Sequence, residues 1–241
     1  MEGIETVGIT TNGFRMNNMM TPLIDAGLNR INISLDTLNR ERFRQITGVD
    51  GFERVLAAID EAEQSGAFEF VKINTVIMRG INDTEIPSLV GWALPRHIDL
   101  RFIEYMPVDG AGKHAALFMS EEEIKSRMET SLQSTIFHDQ YRGPSESFCH
   151  ENYPGRISFI SAVSRCFCDG CNRLRLSSRG ELLGCLFQNE NIDLAAFLEQ
   201  GFSDDEIAEM IVQAVNTPEF RRTPGEVSVA DTRPFMRGIG G

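Results

Sequence analysis

The sequence predicts an α/β fold built on a parallel sheet or part of a (β/α) barrel, and three observations carry that expectation. Strand-like apolar runs alternate with amphipathic helix-like segments over the first hundred residues. Glycines stand where helices should end, at Gly27 and Gly66. Polar residues collect at the C-terminal ends of the strands, the edge where parallel α/β architectures bind ligands.

The first strand is expected at Val7–Thr10, with Thr10-Thr11-Asn12 at its end. The second covers Arg30–Leu35 and leads into Ser34 and Asp36, and the third covers Phe70–Met78. The fourth, Leu100–Tyr105, ends at Glu104 and Met106. Between them the clearest helix is Phe52–Glu63, with Phe52, Val55, Leu56, Ile59 and Ala62 on one face. Asp83-Thr84-Glu85 opens another, whose Ile86, Leu89 and Val90 should face inward. Lys72 alternates with Asn74 and Val76 on one strand face. Buried, a lysine there would need an anionic partner; on an edge strand it would simply meet water. The residues leave both readings open.

The texture changes near Pro107. Asp109–Lys113 reads as a loop, and Ser120 with Glu123 as a capping box with Met119 and Ile124 as its hydrophobic staple. Residues 138–155 are polar and rich in Gly and Pro, a predicted surface loop. Strands are then expected at Arg156–Val163, Arg173–Leu176 and Glu181–Leu186 around a cysteine loop. Ser203 and Glu206 cap a last helix, with Phe202 and Ile207 as its staple.

Composition excludes several classes. The 241 residues suffice for one large domain, or one plus a smaller appendage, without disulfide staples. A net charge of −12 argues against a general nucleic-acid binder, though a few converging arginines could still hold a small anion. No stretch approaches the ~20 apolar residues of a membrane helix, and the first residues carry neither a secretion signal nor an organelle presequence. Histidines 97, 114, 138 and 150 show no ligand spacing and are expected at the surface, while Cys149 reads as an incidental thiol in the polar loop. Gly110-Ala111-Gly112-Lys113-His114 is no phosphate-binding P-loop. That pattern needs glycine where Pro107 stands and Ser or Thr where His114 stands.

The cysteines carry the strongest chemical signal. Four of the five (Cys166, Cys168, Cys171 and Cys185) fall within twenty residues, which in a chain without a signal peptide points to metal rather than disulfides. With Cys166 included, four thiolates suit a closed structural zinc site, the commoner case. With only Cys168, Cys171 and Cys185, a [4Fe–4S] cluster keeps one iron open to substrate. Arg173 and Arg175, two apart on a strand, point the same way and suit phosphate oxygens, which tilts the reading toward the open cluster. A solvated basic pair on a hairpin is the bland alternative.

Phe167-Cys168-Asp169-Gly170-Cys171-Asn172-Arg173-Leu174-Arg175-Leu176 followed by Gly184-Cys185-Leu186-Phe187 resembles the second cluster motif of the GTP 3′,8-cyclase family. That family performs the first step of molybdenum cofactor biosynthesis. Thr10-Thr11-Asn12-Gly13, Asn32-Ile33-Ser34-Leu35-Asp36, Val71-Lys72-Ile73-Asn74, Arg101-Phe102-Ile103-Glu104-Tyr105-Met106-Pro107, Ile157-Ser158-Phe159-Ile160 and Gly240-Gly241 match in the family's order along the whole chain. The resemblance implies a partial (β/α) barrel of the radical SAM type over residues 1–107, with four of six βα units. It implies a C-terminal [4Fe–4S] and GTP-binding domain over 108–241. Cys168, Cys171 and Cys185 would then ligate the cluster and Cys166 would not. Thr10, Lys72, Arg173 and Arg175 would contact GTP, and Ser34 and Met106 would contact S-adenosylmethionine. Gly240 and Gly241 would form a tail reaching into the active site, where only residues without side chains fit.

The implied reaction is radical: reductive cleavage of S-adenosylmethionine, abstraction of the ribose 3′ hydrogen of GTP, and attack of C3′ on guanine C8. The cofactors supply the hard chemistry and the protein positions GTP and excludes solvent. The family's radical-generating C-x-x-x-C-x-x-C is absent here, since no cysteine precedes Cys149. The expectation is therefore a fragment or shortened product that does not cyclise GTP alone, with a non-catalytic zinc-stabilised or GTP-binding module as the alternative. By family analogy it would act in the cytoplasm or mitochondrial matrix as a homodimer. It would pass its product to the cyclic pyranopterin monophosphate synthase step, with no nucleic-acid or membrane partner.

Overall fold

A computed structural model describes residues 3–106, 116–129, 136–139, 145–165, 171, 173–185, 191–217 and 220. The chain divides into two compact units, one of Met1–Tyr105 with Leu117–Ser164 and one of Met106–Ala116 with Arg165–Gly241.

The first unit is built on a seven-stranded sheet. β1 (Gly8–Thr11), β2 (Arg30–Ser34), β3 (Val71–Ile77) and β4 (Ile98–Glu104) each pair in parallel with the next. β5 (Ile136–Asp139) and β6 (Glu146–His150) form an antiparallel hairpin, and β7 (Arg156–Ile160) joins it to β4, giving the order β1-β2-β3-β4-β7-β6-β5. The helices of this unit are α1 (Met20–Asp25), α2 (Arg40–Thr47), α3 (Phe52–Gln64), α4 (Ile86–Ala93) and α5 (Glu121–Glu129). The four predicted βα strands thus lie within two residues of where the apolar runs place them, and the α/β class holds.

Period-two alternation decides what each sheet face does. Ile31, Ile33, Val71, Ile73, Leu100, Phe102, Ile157 and Phe159 are buried and share one core with Val55, Ile59, Ile86, Leu89, Ile124 and Met119 from the helical side. Each such side chain contributes about 1.5–3 kcal/mol by leaving water. The predicted face of α3 is buried as expected, with Leu56 partly so. At the start of α5, Ser120 and Glu123 exchange the hydrogen bonds of a capping box (3.3 and 3.0 Å), while Met119 and Ile124 sink into the core.

Three expectations fail here for identifiable reasons. Residues 138–155 are not all loop, because β6 lies among them between β5 and β7. Its polarity is tolerated where Ser147 and Ser158 hydrogen-bond each other inside the sheet, Oγ to Oγ at 2.8 Å. Cys149 therefore sits on a strand. His150 is buried rather than superficial, its ring 4.8 Å from that of Tyr153. The strand at Arg156 belongs to the large sheet beside β4, not to the cysteine region.

The second unit holds a small antiparallel sheet of β8 (Arg175–Leu176), β9 (Glu181–Leu183) and β10 (Asn191–Asp193), in the order β10-β9-β8. Helices α6 (Leu194–Glu199) and α7 (Asp204–Val215) follow, and Leu182, Leu194 and Phe220 form a core with Ile207 and Ile211 against it. Ser203 and Glu206 complete the capping box of α7. Phe202 stays 37% exposed and packs its edge on Phe197 at 5.2 Å. Among the described residues no helix is long and apolar enough to cross a membrane.

Candidate functional site

The face of the large sheet opposite the helices is polar. Parallel sheets usually bury both faces and read as continuous apolar runs, so a polar face needs a reason. Register places Thr10, Asn32, Lys72, Asp99 and Arg156 side by side across β1, β2, β3, β4 and β7. Two residues further along each strand, Ser34, Asn74, Arg101 and Ser158 form a second row.

Direct contacts tie these rows together. The Asn32 side-chain amide donates to Thr10 Oγ1 at 3.0 Å. Arg101 donates through Nε and Nη2 to one oxygen of Asp99, at 3.0 and 2.9 Å, and Ser158 Oγ donates to the other at 2.5 Å. The Arg156 guanidinium stacks over the Phe70 ring at 4.2 Å. The Asn74 side-chain oxygen is buried with no hydrogen-bond partner among the described residues.

Lys72 lies on β3, an interior strand, so the water-facing edge reading of this residue is excluded. Burial first, then the Arg101 charge, push its ammonium down to about 8, with Arg30 and Arg156 acting in the same direction and Asp99 against them. A half-buried lysine among three arginines and one carboxylate is a ready receptor for polyanionic oxygens. Asp36, past the end of β2, accepts the Val76 N–H at 2.8 Å; burial nonetheless pushes its carboxyl up to about 6.

Glu104 stands at the C-terminal end of β4, as expected, but its side chain does not join this polar row. Counting by twos from Asp99 and Arg101 puts it on the opposite, helix-covered face. There its carboxylate accepts the backbone N–H of Glu121 at 2.9 Å and those of Val163 and Ser164 at 2.8 Å each. It is a structural clamp at the start of α5, where a negative charge complements the helix dipole.

In the second unit, Cys171 and Cys185 are both half-buried. Burial pushes the Cys171 thiol up, but hydrogen bonds from the Arg173 backbone and side chain, with the charges of Arg173 and Arg175, outweigh it and hold the thiol below its ordinary range. Burial and then Arg173 lower the Arg175 guanidinium, against the opposing influence of Cys185 and Cys171. Cys171 and Cys185 therefore both sit within electrostatic reach of Arg175. That donor chemistry fits a thiolate-ligated metal cluster. Among the described residues no group of three or more His, Cys, Asp or Glu side chains could hold a metal. Cys168, expected to complete the set, lies outside the described residues, as do Cys166, Gly240 and Gly241. Met106 is half-buried.

The structure thus places Thr10, Ser34 and Lys72 on one face of one sheet, and Cys171, Cys185, Arg173 and Arg175 in the other unit. The sequence reading gave no role to Asp99 or Arg101. The signal for them was strand parity: both alternate with core residues on β4, in step with Lys72 and Asn74 on β3.

Residues 1–93 match the Radical SAM superfamily and residues 98–222 match the family described as Molybdenum Cofactor Synthesis C. The chain is 39% identical over 217 residues to the GTP 3′,8-cyclase of Thermodesulfovibrio yellowstonii, covering 90% of this chain and 67% of that protein. It is 36% identical to the GTP 3′,8-cyclase of Heliobacterium modesticaldum, covering all of this chain and 74% of that one. It is also 37% identical to molybdenum cofactor biosynthesis protein 1 of Dictyostelium discoideum, over 89% of this chain but 35% of that protein. The chain belongs to the GTP 3′,8-cyclase family of molybdenum cofactor biosynthesis.

Proposed function

We propose that this chain provides the GTP-binding part of a GTP 3′,8-cyclase, with Thr10, Lys72, Arg173 and Arg175 as its GTP-contacting residues. The observation that carries the reading is the polar row Thr10–Asn32–Lys72–Asp99 with Arg101 above it, on the sheet face that the helices leave uncovered. Lys72 and Arg101 supply cationic donors for phosphate oxygens, and Thr10 with Asn32 supplies neutral ones. Arg173 and Arg175 supply two further guanidinium forks, which suit the same chemistry.

Ser34 and Met106 are proposed to contact S-adenosylmethionine, with Gly240 and Gly241 as a tail toward the substrate. The unpartnered Asn74 oxygen, in the same row as Ser34, supports a hydroxyl- or ammonium-bearing ligand there. Cys168, Cys171 and Cys185 would hold a [4Fe–4S] cluster. When bound, that cluster would offer an iron open to the guanine base; the electron that cleaves S-adenosylmethionine to a radical would have to come from the family's C-x-x-x-C-x-x-C cluster, whose cysteines this sequence does not carry. The protein's own part is to bind, orient and desolvate GTP so that C3′ and C8 of one nucleotide meet. On this reading the parallel strands are a segment of a radical SAM barrel, and the product passes to the cyclic pyranopterin monophosphate synthase step.

The test is equilibrium binding of GTP to the anaerobically reconstituted protein. Lys72→Ala, and separately the pair Arg173→Ala with Arg175→Ala, should each weaken GTP by at least roughly tenfold, the value of a lost charge-assisted contact. Unchanged affinity in both would overturn the proposal.

A further inference from the structure

Asp99 is a carboxylate 2% exposed in the middle of a sheet, surrounded by more positive charge than it can neutralise. Lys72 stands opposite it in register on one side and Arg156 on the other, and Arg101 reaches back two residues to grip it. A buried ion pair of this kind is weak evidence for stability, because desolvation offsets most of the Coulombic gain. Its geometry fits another task better. Both Arg101 contacts go to a single oxygen, so two of the guanidinium's five N–H donors fix its plane. The second oxygen is locked by Ser158, itself 0% exposed, whose Oγ lies 2.8 Å from that of the buried Ser147 on β6. The chain Ser147–Ser158–Asp99–Arg101 therefore runs across three strands and ends at a cation on the polar face.

We infer that Asp99 is a positioning residue, which holds the Arg101 guanidinium in place and keeps Lys72 cationic for a phosphate-bearing ligand. The inference rests on the reading of that face as a nucleotide triphosphate site. The groups facing Lys72 are Arg30 from β2, Asp99 and Arg101 from β4, and Arg156 from β7. Asp99 is the one carboxylate among these described groups. Neutralising it removes a charge that opposes the three guanidinium groups, and the lysine should give up its proton at lower pH.

The experiment compares GTP with guanosine on the reconstituted protein and its Asp99→Asn variant across pH 6.5 to about 9.5, bracketing the lysine midpoint. The wild type should prefer GTP, with affinity falling through a midpoint near 8. Asp99→Asn should lose roughly tenfold in GTP affinity while guanosine binding stays unchanged, and the midpoint should move down. A folded variant with wild-type GTP affinity and an unmoved midpoint overturns the inference and leaves the triphosphate reading standing. A wild type that binds GTP no better than guanosine overturns that reading and the inference with it. Should Asp99→Asn not fold, Ser158→Ala decides. A smaller loss confined to GTP supports the chain of contacts, and equal binding overturns it.

Discussion

The carboxylate of Glu104 accepts the backbone N–H of Glu121 across 17 residues of sequence, at 2.9 Å, from a position 1% exposed to solvent. The same carboxylate takes the N–H groups of Val163 and Ser164 and the Ser164 hydroxyl, so one side chain anchors both the start of α5 and the segment after β7. Glu104→Ala strands these buried donors and should cost about 3 kcal/mol or more in urea unfolding. Glu104→Gln keeps an acceptor and should cost less.

Lys72 gives the binding site a pH signature. Its free-state value of about 8 lies below the ordinary 10.5, so phosphate binding should take up a proton above pH 8 and GTP affinity should fall as pH rises through that value. The folding effect has its own sign. The native state binds fewer protons than the unfolded chain between about 8 and 10.5, so this residue's contribution to stability rises with pH across that window. Affinity measured in steps from pH 7 to about 9.5 checks the first statement; a flat profile would contradict it.

Asp36 should behave in the opposite sense to a salt-bridged carboxylate. Burial raises it from 3.8 to about 6, so the folded state holds a proton that the unfolded chain releases. Its contribution is present below 3.8 and is lost as pH rises through about 6. Asp36→Asn removes that term, so the variant should gain on the wild type between pH 4 and about 7 in thermal melts. A constant difference between the two across this range would refute it.

Gly155 precedes β7 and leaves no space for a side chain. A Cβ there would lie 2.6, 2.7 and 2.8 Å from the carbonyl oxygens of Ala93, Leu94 and Arg96, while its N–H donates to Leu94 at 2.9 Å. Gly155→Ala should destabilise by about 2 kcal/mol or more through backbone displacement. A denaturation midpoint equal to wild type would show that the segment yields easily.

Strand positions were legible because buried parallel strands are written in Val, Ile, Leu and Phe. The cysteine unit was legible because its residue types have few other uses. What escaped was everything that depends on parity. Glu104 and Arg101 lie three apart on one strand and so face opposite sides, but only the pairing with β3 shows which side the helices cover. Ser147 read as part of a polar surface loop because its partner, Ser158, lies eleven residues away in sequence.

The proposed function predicts that Cys168, Cys171 and Cys185 hold an iron–sulfur cluster open to GTP. The most direct measurement is the reduced EPR spectrum of the anaerobically reconstituted chain with and without GTP, beside counts of iron, sulfide and zinc. About four irons per chain, a spectrum that shifts with GTP, and loss of both in Cys171→Ser or Cys185→Ser are the predicted result. One zinc, no iron and no response to GTP would contradict it.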